Sequence, residues 1–189
     1  MRIMSSSTMT KTTISEAACL RVLAEYRTPP HVVRHCRAVA SVACAMAEAL
    51  NAHGAHLDVD LIRAAGLLHD MARVHEEHGN VAADYCAARG WVREAEIIRA
   101  HMFYDVFHDA DHLDETDLIC LADRLVLEDR YAGIDRRMAY IIEKARRNGH
   151  PEYVPHIERR REETRALLGE IEAKIGLPLD ELMETRQDG

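Results

Sequence analysis

Residues 64–86 read AAGLLHDMARVHEEHGNVAADYC. The stretch is apolar through Leu68, then changes at His69, and Asp70, Arg73, His75, Glu76, Glu77 and His78 follow within ten positions. A helix that begins this way belongs in an interior, where an ionisable group is costly unless it is paired, hydrogen-bonded or bound to a metal. The segment reads as a buried helix that ends in a crowd of ionisable side chains.

Helical signals extend outward on both sides. Upstream, the Pro29-Pro30 pair opens HVVRHCRAVASVACAMAEALNAHG and Gly54 stops it. Asp58 or Asp60 can cap DLIRAAGLLHDMA, which the spacing predicts as helix to Ala72. Downstream, GNVAADYCAARG closes at Gly90, WVREAEIIRAHM leads into a polar loop, and Asp114 with Asp117 starts DLICLADRLVLEDRY, predicted as helix to Tyr131. Alanine-rich and charged helical patterns continue through GIDRRMAYIIEKARRNG and EYVPHIERRREETRALLGEIEAKIG. No alternating period-2 segment of useful length interrupts them. The expectation is all-α, a compact bundle of about seven helices. Residues 1–13 are expected to be a disordered leader, 14–150 the main helical domain, and 151–185 a C-terminal helical extension packed on it.

A net charge of −8 over 189 residues argues against a passive grip on a nucleic acid polymer. It does not exclude a phosphorylated small molecule, because bound cations reverse the local field. Five cysteines without a CxxC pair read as small core residues and predict a reducing, cytoplasmic setting. No stretch approaches a membrane span.

Among twelve histidines, position decides. Most lie at helix ends or in polar loops and read as solvated. His35, His69, His78 and His101 instead have apolar neighbours, as do Asp70 and Asp123, the latter within ICLADRLV. Any one such histidine alone reads more simply as a core residue bonded to a backbone carbonyl. Together with two carboxylates they form a ligand set for Zn, Fe, Mn, Co or Ni, and the absence of cysteine disfavours a structural zinc site. Adjacent His69 and Asp70 differ by about 100° around a helix, yet at a helix terminus both can turn toward one ion.

The order His35 … His69-Asp70 … Asp123 resembles the H…HD…D signature of the HD-domain superfamily of metal-dependent phosphohydrolases, over roughly residues 30–130. His78 and His101 match the extra histidines of its two-metal branch. The resemblance implies that His35, His69, Asp70 and Asp123 hold one ion and that Asp70 bridges to a second, held by His78 and His101. The small stand-alone type with HDxxK is closest in size, with Arg73 in the lysine position. One or two divalent transition-metal ions (Fe, Mn, Ni, Co or Zn) are the expected cofactors, and water activated by them is the expected nucleophile. Asp70 and Arg73 are the expected catalytic residues. Arg73, Arg124, His31 and Arg34 are the expected substrate-binding residues, with surface ion pairing the alternative reading of Arg73 and Arg124.

The expected partner is a small phosphorylated substrate, a nucleotide foremost, with no nucleic acid polymer or membrane and with a homodimer allowed. Two competing functions are a nucleotide-binding module without turnover and a di-iron oxygenase on the same ligands. The loop MFYDVFHDADHLDE is expected to wall the cleft, with Phe103, Tyr104 and Phe107 either stacking on a base or anchoring to the core.

Overall fold

The computed structural model describes residues 13–104 and 106–185, apart from the side chain of Phe103. The expected leader, except for Thr13, lies outside the described residues, as does the expected role of the Phe103 ring. Nine α-helices occur among the described residues: α1 (Glu16–Glu25), α2 (Pro30–Ala52), α3 (Val59–Leu68), α4 (His78–Ala87), α5 (Val92–Ala100), α6 (Glu115–Leu125), α7 (Gly133–Arg147), α8 (Val154–Ile175) and α9 (Leu179–Glu184). A 3₁₀ turn covers His101–Phe103, and a two-stranded hairpin pairs β1 (Val126–Leu127) with β2 (Arg130–Tyr131). The all-α bundle is as expected.

Capping follows the sequence chemistry. Ser15 accepts from Ala18 N, Asp58 accepts from Leu61 N, and Asp114 with Asp117 forms a reciprocal capping box on α6. Pro30 occupies the first turn of α2, where a missing N–H costs nothing. All five cysteines are buried and free.

Two apolar clusters flank α3. Leu61, Ile62 and Ala65 join the larger one with α2, α6, α7, α8 and α9. Ala64, Leu67 and Leu68 join the smaller one with α1, α4 and α5. Thus α8 and α9 share their core with α2, through Leu168, Ile171, Leu179 and Met183. Gly66 lets α3 pass close to α2: a Cβ there would lie 2.8 Å from the Ala40 Cα.

Two predicted helices stop early. α3 ends at Leu68 rather than Ala72, and the next residues turn through Met71 N to Leu68 O and Arg73 N to Asp70 O bonds. At this end His69 Nδ1 donates to Gly66 O at 2.8 Å, the carbonyl that Asp70 N would take if the helix continued. Thr28 Oγ1 then donates to Met71 O at 2.9 Å and pins this turn to the α1–α2 connection.

α6 likewise ends at Leu125, and the chain folds into the hairpin through Glu128 at φ +57°. A non-glycine residue in that left-handed region carries strain of about 1 kcal/mol or more. Here it turns the Glu128 carbonyl toward His35, whose Nδ1 donates to it at 2.8 Å.

Candidate metal centre

Five elements converge on one point. His35 lies in the second turn of α2, His69 caps α3 and Asp70 follows it, His78 opens α4, His101 caps α5, and Asp123 lies in the last turn of α6. His69 and Asp70 are essentially inaccessible, and His78 is buried.

Backbone carbonyls orient three of the four rings. His35, His69 and His101 donate from Nδ1 to Glu128 O, Gly66 O and Ile98 O. A carbonyl accepts only, so each Nδ1 carries the proton and each Nε2 faces inward with its lone pair when the ring is neutral. His35 Nε2 lies 3.0 Å from Asp123 Oδ1 and 3.7 Å from Asp70 Oδ2. His69 Nε2 lies 3.6 Å from Asp70 Oδ2 and 4.0 Å from Asp123 Oδ1. On the other side of the Asp70 carboxylate, His78 Nε2 and His101 Nε2 lie 3.1 and 3.7 Å from Oδ1.

Imidazole lone pairs aimed at carboxylate oxygens repel unless a cation lies between them. Buried His69 Nε2, Asp70 Oδ1 and His78 Nε2 have no hydrogen-bond partner among the described residues, where an unsatisfied buried group costs about 1–3 kcal/mol. Donor atoms about 3.0–3.4 Å apart are the edges of a shell whose bonds are about 2.1 Å long. The donor set fits a divalent transition metal on each side of Asp70: His35, His69 and Asp70 on one side, with Asp123 beside them, and Asp70, His78 and His101 on the other.

The titration of these groups carries the same signature. Burial pushes His69 below the ordinary imidazole value. Burial also acts to lower His35 and His101, but the nearby carboxylates of Asp123 and Asp70 and the carbonyl contacts raise both above it. Burial alone would raise the two carboxylates, yet His69, His101, His78 and Arg73 hold Asp70 far below its usual range. Asp123 is likewise lowered to about 2, chiefly by His35 and His69.

A cleft of about 500 Å³ opens over His35 and Asp70, a volume suited to a small metabolite. His31, Arg34 and Arg73 line it. Arg73 donates to Asp70 Oδ2, and Arg34 pairs with Asp129 at 3.1 Å.

Arg124 is not brought to this cleft. Its guanidinium reaches Tyr104 O and Thr164 Oγ1 and lies 4.5 Å over the Phe107 ring, linking Tyr104 and Phe107 to α8. The expected wall is also displaced. Tyr104 donates to buried Asp117 at 2.7 Å, Phe107 packs against the larger core, and this loop borders a different groove beside α8. His108 and Asp114 also cluster at Asp117, but its oxygens are already engaged by Tyr104, His108 and Asp114 N.

The cleft wall instead comes from the hairpin tip, Glu128 and Asp129, and from Arg137, Tyr140 and Lys144 of α7. Sequence reasoning missed these α7 residues. Their signal is the 137/140/144 spacing beside the buried stripe Ile134, Met138 and Ile142, but spacing does not say which edge of a helix meets a cleft.

An uncharacterized protein of Methanocaldococcus jannaschii is 38% identical over 71 residues, a stretch covering 36% of this chain and 42% of that protein. The chain thus spans less than half the length of this relative. No solved structure gives a significant match. The HD domain family matches residues 32–128, just over half of the chain, from the start of α2 to the hairpin tip, and so encloses His35, His69, Asp70, His78, His101 and Asp123. The histidine–aspartate order along the chain, the helical fold and this match agree: the chain belongs to the HD-domain superfamily of metal-dependent phosphohydrolases.

Proposed function

We propose that the protein is a metal-dependent phosphohydrolase that cleaves a phosphate ester or anhydride of a nucleotide or similar phosphorylated metabolite. The observation that carries this reading is that His69 Nε2, His78 Nε2 and Asp70 Oδ1 are buried without hydrogen-bond partners among the described residues, beneath an open cleft that His35 and Asp70 line. His35, His69, Asp70 and Asp123 would hold one divalent ion, and Asp70, His78 and His101 a second. Such a pair supplies a water acidified toward about neutral pKa and a clamp on the attacking and leaving oxygens.

The chain's own groups do the rest. Carbonyl contacts at Nδ1 fix the tautomers of His35, His69 and His101, so that these three rings need not reorient before donating a lone pair. Burial of His69 and Asp70 excludes bulk water from the floor of the site. Arg73, half exposed and anchored on Asp70, presents its remaining N–H groups to the cleft, where non-bridging phosphoryl oxygens would lie. Arg34 and His31 flank the same opening.

The test is Asp70→Ala. Wild-type protein supplemented with Mn²⁺, Fe²⁺ or Ni²⁺ should carry metal near stoichiometrically and release phosphate from members of a phosphorylated-metabolite panel. The variant should lose both, activity falling by more than about a hundredfold. Wild-type protein that stays metal-free after supplementation would falsify the proposal. Binding without product would leave a non-catalytic module, and substrate-dependent oxygen consumption would indicate an oxygenase.

A further inference from the structure

Arg137 and Lys144 are seven residues apart on α7, which places them within about 20° on one face and about 10 Å apart along the axis. Both line the cleft that contains His35 and Asp70. Among the described residues neither pairs with a carboxylate, and the buried Arg137 Nε has no hydrogen-bond partner. Four other arginines are matched, Arg34 with Asp129, Arg73 with Asp70, Arg93 with Asp58, and Arg99 with Asp84. Arg136, Arg146 and Arg147 of α7 pair with no carboxylate among the described residues either, but they are exposed and outside the cleft.

A chain of net charge −8 has carboxylates to spare, so two unmatched cations on one cleft wall need an explanation. Within the cleft Asp70 and Asp129 are already engaged, which leaves Glu128 as the remaining acid against two cations. A guanidinium nitrogen buried without a partner is unfavourable in the free protein, and an anion pairing with the rest of this guanidinium from the cleft would offset that cost. Arg137, half-buried, is the inner contact, and Lys144, exposed, is the outer one.

We infer that Arg137 and Lys144 form a second anion subsite, and that the substrate carries a further phosphoryl group beyond the one presented to the Asp70 cluster. The substrate class is then a diphosphate-bearing metabolite rather than a simple monoester. The choice of which phosphoryl group is attacked rests on the phosphohydrolase reading; the anion site itself does not.

The experiment is calorimetric titration of the Mn²⁺-loaded protein, at constant free Mn²⁺, with inorganic pyrophosphate and with orthophosphate. Wild-type protein should bind pyrophosphate at least about tenfold more tightly than orthophosphate. Arg137→Gln and Lys144→Gln should each erode that preference while orthophosphate affinity stays within about twofold, which also shows that the variants fold. Arg137→Lys should recover part of it, and exposed Arg136→Gln should change nothing. A preference absent from wild-type protein, insensitive to both substitutions, or lost equally in Arg136→Gln overturns the subsite. An Arg137-dependent preference without turnover of any phosphate compound upholds the subsite and removes the hydrolase reading. Monoester hydrolysis with an Arg137-independent preference does the reverse.

Discussion

Asp70 is the residue on which the site turns. Its two oxygens face different pairs of imidazoles, Oδ2 toward His35 and His69 and Oδ1 toward His78 and His101. A carboxylate held far below its usual range stays anionic at any physiological pH, so acid sensitivity falls to the histidines. In metal-free protein His35 and His101 titrate above the ordinary imidazole value of about 6.5. Protons therefore compete with metal on these rings, and metal affinity should fall as pH drops, beginning above about pH 6.5. Titration of Zn²⁺ or Mn²⁺ at stepped pH checks this; a flat affinity profile between about pH 8 and pH 6 would contradict it. For stability of the metal-free fold the sign reverses. The contribution of protonated His35 and His101 is fully present below the ordinary value and is lost as pH rises through their raised values.

At the scale of elements, the α2–α3 crossing sets the distance between the His35 and His69 rings, whose centroids are 5.5 Å apart. Gly66 permits that approach, and its carbonyl also orients His69. Gly66→Ala would drive a methyl group into the Ala40 backbone, which cannot swing aside as a flexible side-chain tip can. It should destabilise the protein by about 1–3 kcal/mol and weaken metal binding, because α2 and the end of α3 carry proposed ligands of the same ion. Thermal unfolding with metal titration on one sample reads both effects. Unchanged metal affinity in a destabilised variant would show that the crossing is structural only.

Across the whole molecule, the proposed ligands come from α2, the turn after α3, α4, the end of α5 and α6, with α7 as a wall of the cleft. A ligand that binds only the assembled arrangement stabilises it by mass action. Saturating Mn²⁺ should raise the unfolding temperature of metal-free protein by several degrees, since about 1 kcal/mol shifts a domain of this size by about 2–4 °C. Asp70→Ala should remove the response. Differential scanning calorimetry with and without a chelator measures it, and an equal shift in the variant would place the stabilising metal elsewhere.

Local chemistry determined much of this in advance. The 3.6-residue periodicity, the Asp58 and Asp114 caps and the Gly54 and Gly90 stops defined helices without reference to any partner, because each acts within a turn or two of chain. The ordered His35, His69-Asp70 and Asp123 residues marked the family. Three features depended on contacts distant in sequence. α6 gives way to a hairpin because the Glu128 carbonyl meets His35, 93 residues away. Arg124 turns to α8 and Phe107 rather than to the cleft. Arg137, Tyr140 and Lys144 become cleft residues because α7 packs with that edge inward. Periodicity reports which side of a helix is apolar; only packing decides what the polar border of that side faces.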